Sequence, residues 1–309
     1  MNEAEPGPAP PVLDPLALGP SSPAGDLVRA CLTGGVRRLV RHEPGARRGG
    51  DPEDVHQARV ATRRLRSDLR TFASLLDHGP ADRLREELGW LGAELGHVRD
   101  ADVLLGRLRH HCCSLTGADV ATGAALLRTL EDRRAVARRE LVAVLDTDRY
   151  AALVEALVVA GARPPFCDQC RAAAPAAELA PDVVKRPWAH LSEAVGSLPD
   201  EPGDEALHRI RIRAKRVRYA AEAVAPVVGK RASRLAKRAA ALQAVLGDLH
   251  DAVVAERWLR EAGTAAPSGQ ALVAGQLIVR ERAEQARARS AWREVWDDLD
   301  AKKVRSWLA

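Results

Sequence analysis

The chain has 309 residues, 46% of them hydrophobic but only 3% aromatic, and 47 Lys and Arg set against 42 Asp and Glu give a formal net charge of +5. Its apolar residues are mostly Ala, Leu and Val, which together with abundant Arg favour helices over strands. No apolar run is long enough for a membrane helix, no basic n-region opens a signal peptide, and five cysteines form no disulfide framework, so the expectation is a protein of the reducing cytoplasm with no membrane partner.

The Pro-, Ala- and Gly-rich residues 1–23 read as a disordered tail. A first helix is predicted from Asp26, its N-cap, through Arg41, ended by Pro44 and Gly45. Pro52, with Glu53 and Asp54 in the first turn, opens a second helix to about Asp77. The Gly79-Pro80 turn leads to a third from Ala81 to about His111, a fourth spans Asp119 to about Leu145, and a short one holds Tyr150 to Val159. Residues 161–181 contain four prolines and many alanines and read as a connector. Four further helices are predicted from Pro181 to about Leu198, Asp204 to Val228, Lys230 to Glu261, and Gly269 to Trp307. The fold class is therefore all-α: residues 24–309 as one domain of two helical halves, about 24–160 and 182–309, each with the short connections of an antiparallel four-helix bundle.

The halves repeat each other. Val55-His56-Gln57-Ala58-Arg59-Val60-Ala61-Thr62-Arg63-Arg64-Leu65-Arg66 returns as Leu207-His208-Arg209-Ile210-Arg211-Ile212-Arg213-Ala214-Lys215-Arg216-Val217-Arg218, and Leu95-Gly96-His97-Val98-Arg99-Asp100-Ala101 returns as Leu246-Gly247-Asp248-Leu249-His250-Asp251-Ala252. Such self-similarity marks a duplicated unit. At about 100° per residue, His56, Arg59, Arg63, Arg66 and Arg70 share one sector flanked by Arg64, opposite Ala58, Ala61, Leu65, Leu69 and Phe72. In the second copy His208, Arg211, Lys215, Arg216 and Arg218 face away from Ile210, Ala214, Val217, Ala221 and Val224. Residues 55–72 hold five Arg against one Asp, and 207–218 hold six basic residues and no acid. A ribbon so poor in compensating Glu predicts an anionic partner. Arg suits a phosphate chain because its planar fork bonds two oxygens and stays charged, and His56 and His208 add donors that strengthen as pH falls.

Other clusters carry less. His250 and Asp251 with His208 supply the ingredients of a metal-dependent phosphohydrolase, but adjacent helical residues point about 100° apart, and the simpler role for Asp100 and Asp251 is to orient neighbouring Arg or His. Cys167 and Cys170 form a lone CxxC, for which Cys112, Cys113, His110 or His111 would have to complete a zinc site. Nothing proposes a nucleophile, a cofactor or a phosphate loop. Nucleic acid fits poorly, because Phe72 and Tyr219 are the only aromatics on the basic helices, while the six Trp sit at spacings typical of core or cap positions.

The runs at 56–66, 95–102, 207–219 and 246–251, four motifs in order, resemble the CHAD domain, the conserved histidine α-helical domain. The resemblance covers about residues 24–309. It implies two four-helix bundles about a pseudo-two-fold axis, a basic central groove, and non-enzymatic binding of inorganic polyphosphate, with some members found on polyphosphate granules. Carried onto matching positions, it implies ligand contacts from His56, Arg59, Arg63, Arg64 and Arg66, and from His208, Arg211, Lys215, Arg216 and Arg218, with Arg99 and His250 as additions. Arg37 and Arg41 would extend the groove without motif support. The triphosphate-processing β-barrel that accompanies many relatives has no counterpart in these residues. Whether the chain forms a homo-oligomer stays open in the sequence.

Overall fold

A computed structural model describes residues 17–308, and most of the expected tail, residues 1–16, lies outside them. The described residues form eleven α-helices and a final 3-10 turn: α1 (Ala24–Arg48), α2 (Pro52–Thr71), α3 (His78–Cys112), α4 (Ala118–Leu145), α5 (Asp148–Ala162), α6 (Gln169–Ala173), α7 (Ala176–Gly196), α8 (Asp204–Val228), α9 (Lys230–Thr264), α10 (Ser268–Asp300), α11 (Lys302–Arg305) and Ser306–Leu308. The all-α class is as the composition predicts. Several boundaries follow side-chain caps: Asp51 accepts from the Glu53 amide behind Pro52, Asp77 from Gly79, and Thr147 from Tyr150. Gly49 and Gly229 stop α1 and α8 at φ 80 and 77, where a Cβ would be strained.

Asp26 lies in the first turn of α1 rather than at its N-cap, and Gly79-Pro80 lies inside the start of α3 rather than forming a turn before it; four other boundaries differ more from the sequence expectation. The first helix does not end at Pro44 but runs through it to Arg48. Proline removes one hydrogen bond, and tertiary contacts hold the last turn: Ala46 is buried, its carbonyl accepts from Arg138, and Arg47 caps the Leu145 carbonyl and lies over the Tyr150 ring. The second helix stops at Thr71, because Phe72, Leu75 and Leu76 turn inward to the core and the backbone of residues 75–77 pairs with residues 165–167. Consequently the connector is not a loose linker. It is stitched to the turn after α2, forms α6, and enters α7 five residues before Pro181; Ala176, Ala180 and Val184 carry one buried stripe through that proline. The last helix breaks at Ala301, ahead of Trp307.

Helix pairing repeats in both halves. α1 packs on α2, α2 on α3 and α3 on α4, then α7 on α8, α8 on α9 and α9 on α10, with α2 meeting α8 between the halves. The main hydrophobic cluster draws on both halves, from Leu32, Leu65, Phe72 and Leu91 to Val224, Leu242 and Trp292. A second cluster, with Leu105, Leu108, Leu127, Trp258, Leu259 and Leu277, joins the far ends of α3 and α9 to α4 and α10. At 35 residues each, α3 and α9 are about 52 Å long, which lets them reach both clusters. Trp188, Trp258 and Trp292 are buried, in keeping with their spacing, and Trp188 stacks on Trp296 at 5.8 Å.

Candidate functional site

The buried stripes of α2 and α8 fix which way the two cationic ribbons point. Val55, Ala58, Ala61, Leu65 and Leu69 are buried on α2, as are Leu207, Ile210, Ala214, Val217 and Ala221 on α8. The remaining faces meet where α2 passes α8, flanked by α3 and α9.

Each ribbon uses a glycine of the neighbouring long helix as a seat. The Arg59 guanidinium lies against Gly96 so closely that a Cβ there would collide with Nη1. It donates from Nη1 to the Gly92 carbonyl at 3.0 Å and from Nη2 to Asp100 at 3.3 Å. Its counterpart Arg211 lies over Gly247, where a Cβ would stand 3.5 Å from Nε. The Leu-Gly pair repeated in the sequence is thus a notch for an arginine of the adjacent helix, and Asp100 steadies that arginine as expected.

Around the seats the cations converge from both halves. Lys215 is pushed down to about 7, first by burial and then by Arg211, Arg63 and Arg59, with Asp251 opposing. Arg59 is lowered by burial and by Arg63, Arg99 and Arg211. His56 titrates below its ordinary value because it is partly buried and faces Arg99, Arg63 and Arg59. His208 and His250 approach Nδ1 to Nδ1 at 3.1 Å with ring centroids 4.3 Å apart, so one ring donates and the other accepts. Burial, His208, Arg211 and Lys215 push His250 down to about 4. Asp251 is raised by burial while Arg211 and Arg107 pull it down. His56, Arg59, Arg63 and Arg99 therefore share one electrostatic site with His208, Arg211, Lys215 and His250.

The other expected contacts stand to the side. Arg64 donates to Glu222 at 2.9 Å, and Arg218 donates to the other oxygen of Glu222 at 2.7 Å and to Gln243 at 3.3 Å. Arg63 donates to the Tyr219 hydroxyl at 2.6 Å, and both Arg63 and Arg218 lie 5.6 Å from that ring. Arg66 rests along α3 at Gly89, Arg216 faces Arg70, and His97 is exposed beside Glu94. Arg37 and Arg41 line a recess of their own with Arg38, His42 and Gln57. Sequence reasoning missed Glu222, one turn beyond Arg218 and so at ion-pair spacing, and the seating glycines, whose signal was their repetition beside the basic motifs.

Among the described residues no group of three or more His, Cys, Asp and Glu side chains is arranged to hold a metal. Cys167 and Cys170 are exposed free thiols, and the Cys167 thiol points at the Ser74 carbonyl. Also among the described residues, no helix is long and apolar enough to cross a membrane.

The family model for the CHAD domain matches residues 30–260. The chain belongs to the CHAD domain family. The CHAD domain of the plant Ricinus communis superposes with a TM-score of 0.73 at 28% identity, over 96% of this chain and 98% of that one. PptA from Streptomyces chartreusis does so with 0.72 at 26% identity, over 89% and 100%. The uncharacterized proteins MT2285 and Rv2226 from two strains of Mycobacterium tuberculosis are each 30% identical over 281 residues. Those residues are 88% of this chain and 52% of the relatives, so this CHAD chain spans about half their length.

Proposed function

We propose that the central cluster binds inorganic polyphosphate without turning it over, and that this binding would dock the protein on polyphosphate granules. The observation that carries the reading is the convergence of five fixed or titratable cations and three histidine rings from both halves, with few carboxylates, chiefly Asp100 and Asp251, to oppose them. Lys215 is held down to about 7 first by burial and then by Arg211, Arg63 and Arg59, so it sits beside fixed positive charge that a chain of phosphates would offset. Guanidiniums seated on glycine notches hold their forks in place, so little side-chain freedom is lost when non-bridging oxygens arrive. The paucity of aromatic platforms beside these cations favours a ligand without bases to stack.

The test is a titration with long-chain polyphosphate, duplex DNA and tripolyphosphate at several salt concentrations, with free phosphate assayed in the same tubes. Tight binding that grows with chain length, falls steeply with salt and releases no phosphate is the expected result. Arg63→Ala with Lys215→Ala should flatten the salt slope by about 0.7 for each lost phosphate contact, the value for single-stranded polyanions. Divalent-metal-dependent release of phosphate abolished by His250→Ala, or equal affinity for duplex DNA, would overturn the proposal.

A further inference from the structure

The duplication gives each half a cavity between its first helix and the crossing of α2 and α8. In the first half the walls are Cys31, Gly34, Gly35 and Arg38 of α1, Ala61 and Arg64 of α2, and Glu222 of α8. In the second half, at identical spacing, they are Leu179, Asp182, Val183 and Arg186 of α7, Arg213 and Arg216 of α8, and Arg70 of α2. The two cavities are counterparts, yet their charges differ. Where the first places the ion pair Arg64–Glu222, the second places Arg216 opposite Arg70. Where the first has Ala61, the second has Arg213.

Arg171 of the connector also lines the second cavity, tethered to the Ser74 carbonyl at 3.1 Å. Five arginines thus stand against the single carboxylate of Asp182 in a space of about 540 Å³. Among the described residues none of the five forms an ion pair, whereas many surface arginines of this protein do. Arg70 is lowered first by burial and then by the cations of Arg216, Arg85 and Arg66, and among the described residues neither Arg70 nor Arg216 has an acidic partner. Arg70, Arg171, Arg186 and Arg216 are solvent-exposed, so water and salt temper their repulsion, and the paired counterpart shows that the fold does not require the concentration of charge.

We propose that the cavity between α2, α7 and α8 is a second anion site, separate from the central cluster, that takes a short oligophosphate. Several guanidiniums lining one surface recess match a ligand bearing several phosphate charges better than a single carboxylate. The same chemistry is presented by a free oligophosphate and by the end of a long chain. The site is argued from its own residues and stands whether or not the central cluster binds polyphosphate.

The test converts the cavity into its counterpart. Arg70→Glu with Arg213→Ala rebuilds the Glu–Arg pair and the small residue of the first half, so the packing is one this fold already accepts. Calorimetric titration of the full chain with tripolyphosphate should give two sites, and the double variant should keep one, the other weakened about tenfold or more. Arg63→Ala with Lys215→Ala should remove the complementary site. Should the double variant unfold, Arg186→Ala on the exposed face of α7 reads the same site. An isotherm unchanged by Arg70→Glu/Arg213→Ala overturns the second site, whatever the central variants do. Loss in the cavity variant with no change in the central one upholds it and instead defeats the central reading. Weakened tripolyphosphate with intact long-chain affinity identifies a free oligophosphate as the ligand; weakening of both identifies a chain end.

Discussion

On the proposed reading, Lys215 would make polyphosphate binding a proton-coupled event, and the coupling can be sized. In the free protein its ammonium is held down to about 7, against an ordinary 10.5, by burial and by Arg211, Arg63 and Arg59. At pH 8 only about a tenth of the molecules carry that charge. Phosphate oxygens among these cations reverse the unfavourable field and return the lysine towards its ordinary value, so binding at pH 8 takes up about 0.9 proton. By linkage the association constant then falls nearly tenfold for each pH unit between about 7 and 10. The histidines contribute little there, because His56, His208 and His250 all titrate below the ordinary histidine value and are neutral at pH 8. Calorimetry in buffers of different ionisation enthalpy at pH 8 measures the uptake directly. Lys215→Arg, charged throughout, should bind with almost no uptake and a flat pH profile. Uptake below about 0.2 proton in the parent protein, or equal uptake in Lys215→Arg, refutes the reasoning.

Asp68 is fully buried with neither carboxylate oxygen bonded, and burial pushes it up to about 7, with Arg64 opposing and Glu222 assisting. The folded state therefore keeps a proton that the unfolded chain loses near pH 4, so stability is lost as pH rises from about 4 through about 7, by up to about 4 kcal/mol. In urea unfolding at pH 5 and pH 8, Asp68→Asn should shed most of that difference; an unchanged difference rejects the assignment. The two seating glycines should behave differently although their motifs match. Gly96→Ala drives Arg59 off the Gly92 carbonyl and weakens polyphosphate binding about tenfold with little loss of stability, whereas Gly247→Ala, at ordinary contact distance from Arg211, leaves affinity unchanged. Equal effects in a titration would contradict the notch geometry.

The helices and the buried faces of α2 and α8 were legible because they depend on local periodicity, and the observed stripes match those read at 100° per residue. The convergence of His56, Arg59 and Arg63 with His208, Arg211 and Lys215 was legible only as duplication plus resemblance, since spacing along one helix says nothing of what faces it. Two of the misplaced boundaries share one cause. Pro44 and Pro181 are strong local punctuation, but each lies where the next turn is held by contacts distant in sequence: Arg138 to Ala46, and the buried stripe of α7. Arg64 left the cluster for an equally nonlocal reason, the presence of Glu222 across the helix crossing.

Duplication followed by local divergence also leaves the two ends of the central cluster unequal, and the inequality has a measurable consequence. Where the first half offers Arg99 beside His56, the second offers His250 against His208. While their Nδ1 atoms share a hydrogen bond, one of the pair must lack a proton there, so this end carries at most part of the charge that Arg99 holds permanently. On the proposed reading, a polyphosphate chain at neutral pH would therefore meet a strongly charged first half and a weaker second half. His250→Arg restores the first-half arrangement at a position where the fold already accommodates arginine in duplicate. At pH 8 it should tighten long-chain binding and steepen the salt slope by about 0.7, the increment for one further phosphate contact. The gain should shrink as pH falls and the bound phosphate draws protons onto the histidine pair of the parent protein. A salt slope at pH 8 identical in parent and His250→Arg would mean that the chain does not reach this end, and the site would then be centred on Arg59, Arg63 and Lys215 alone.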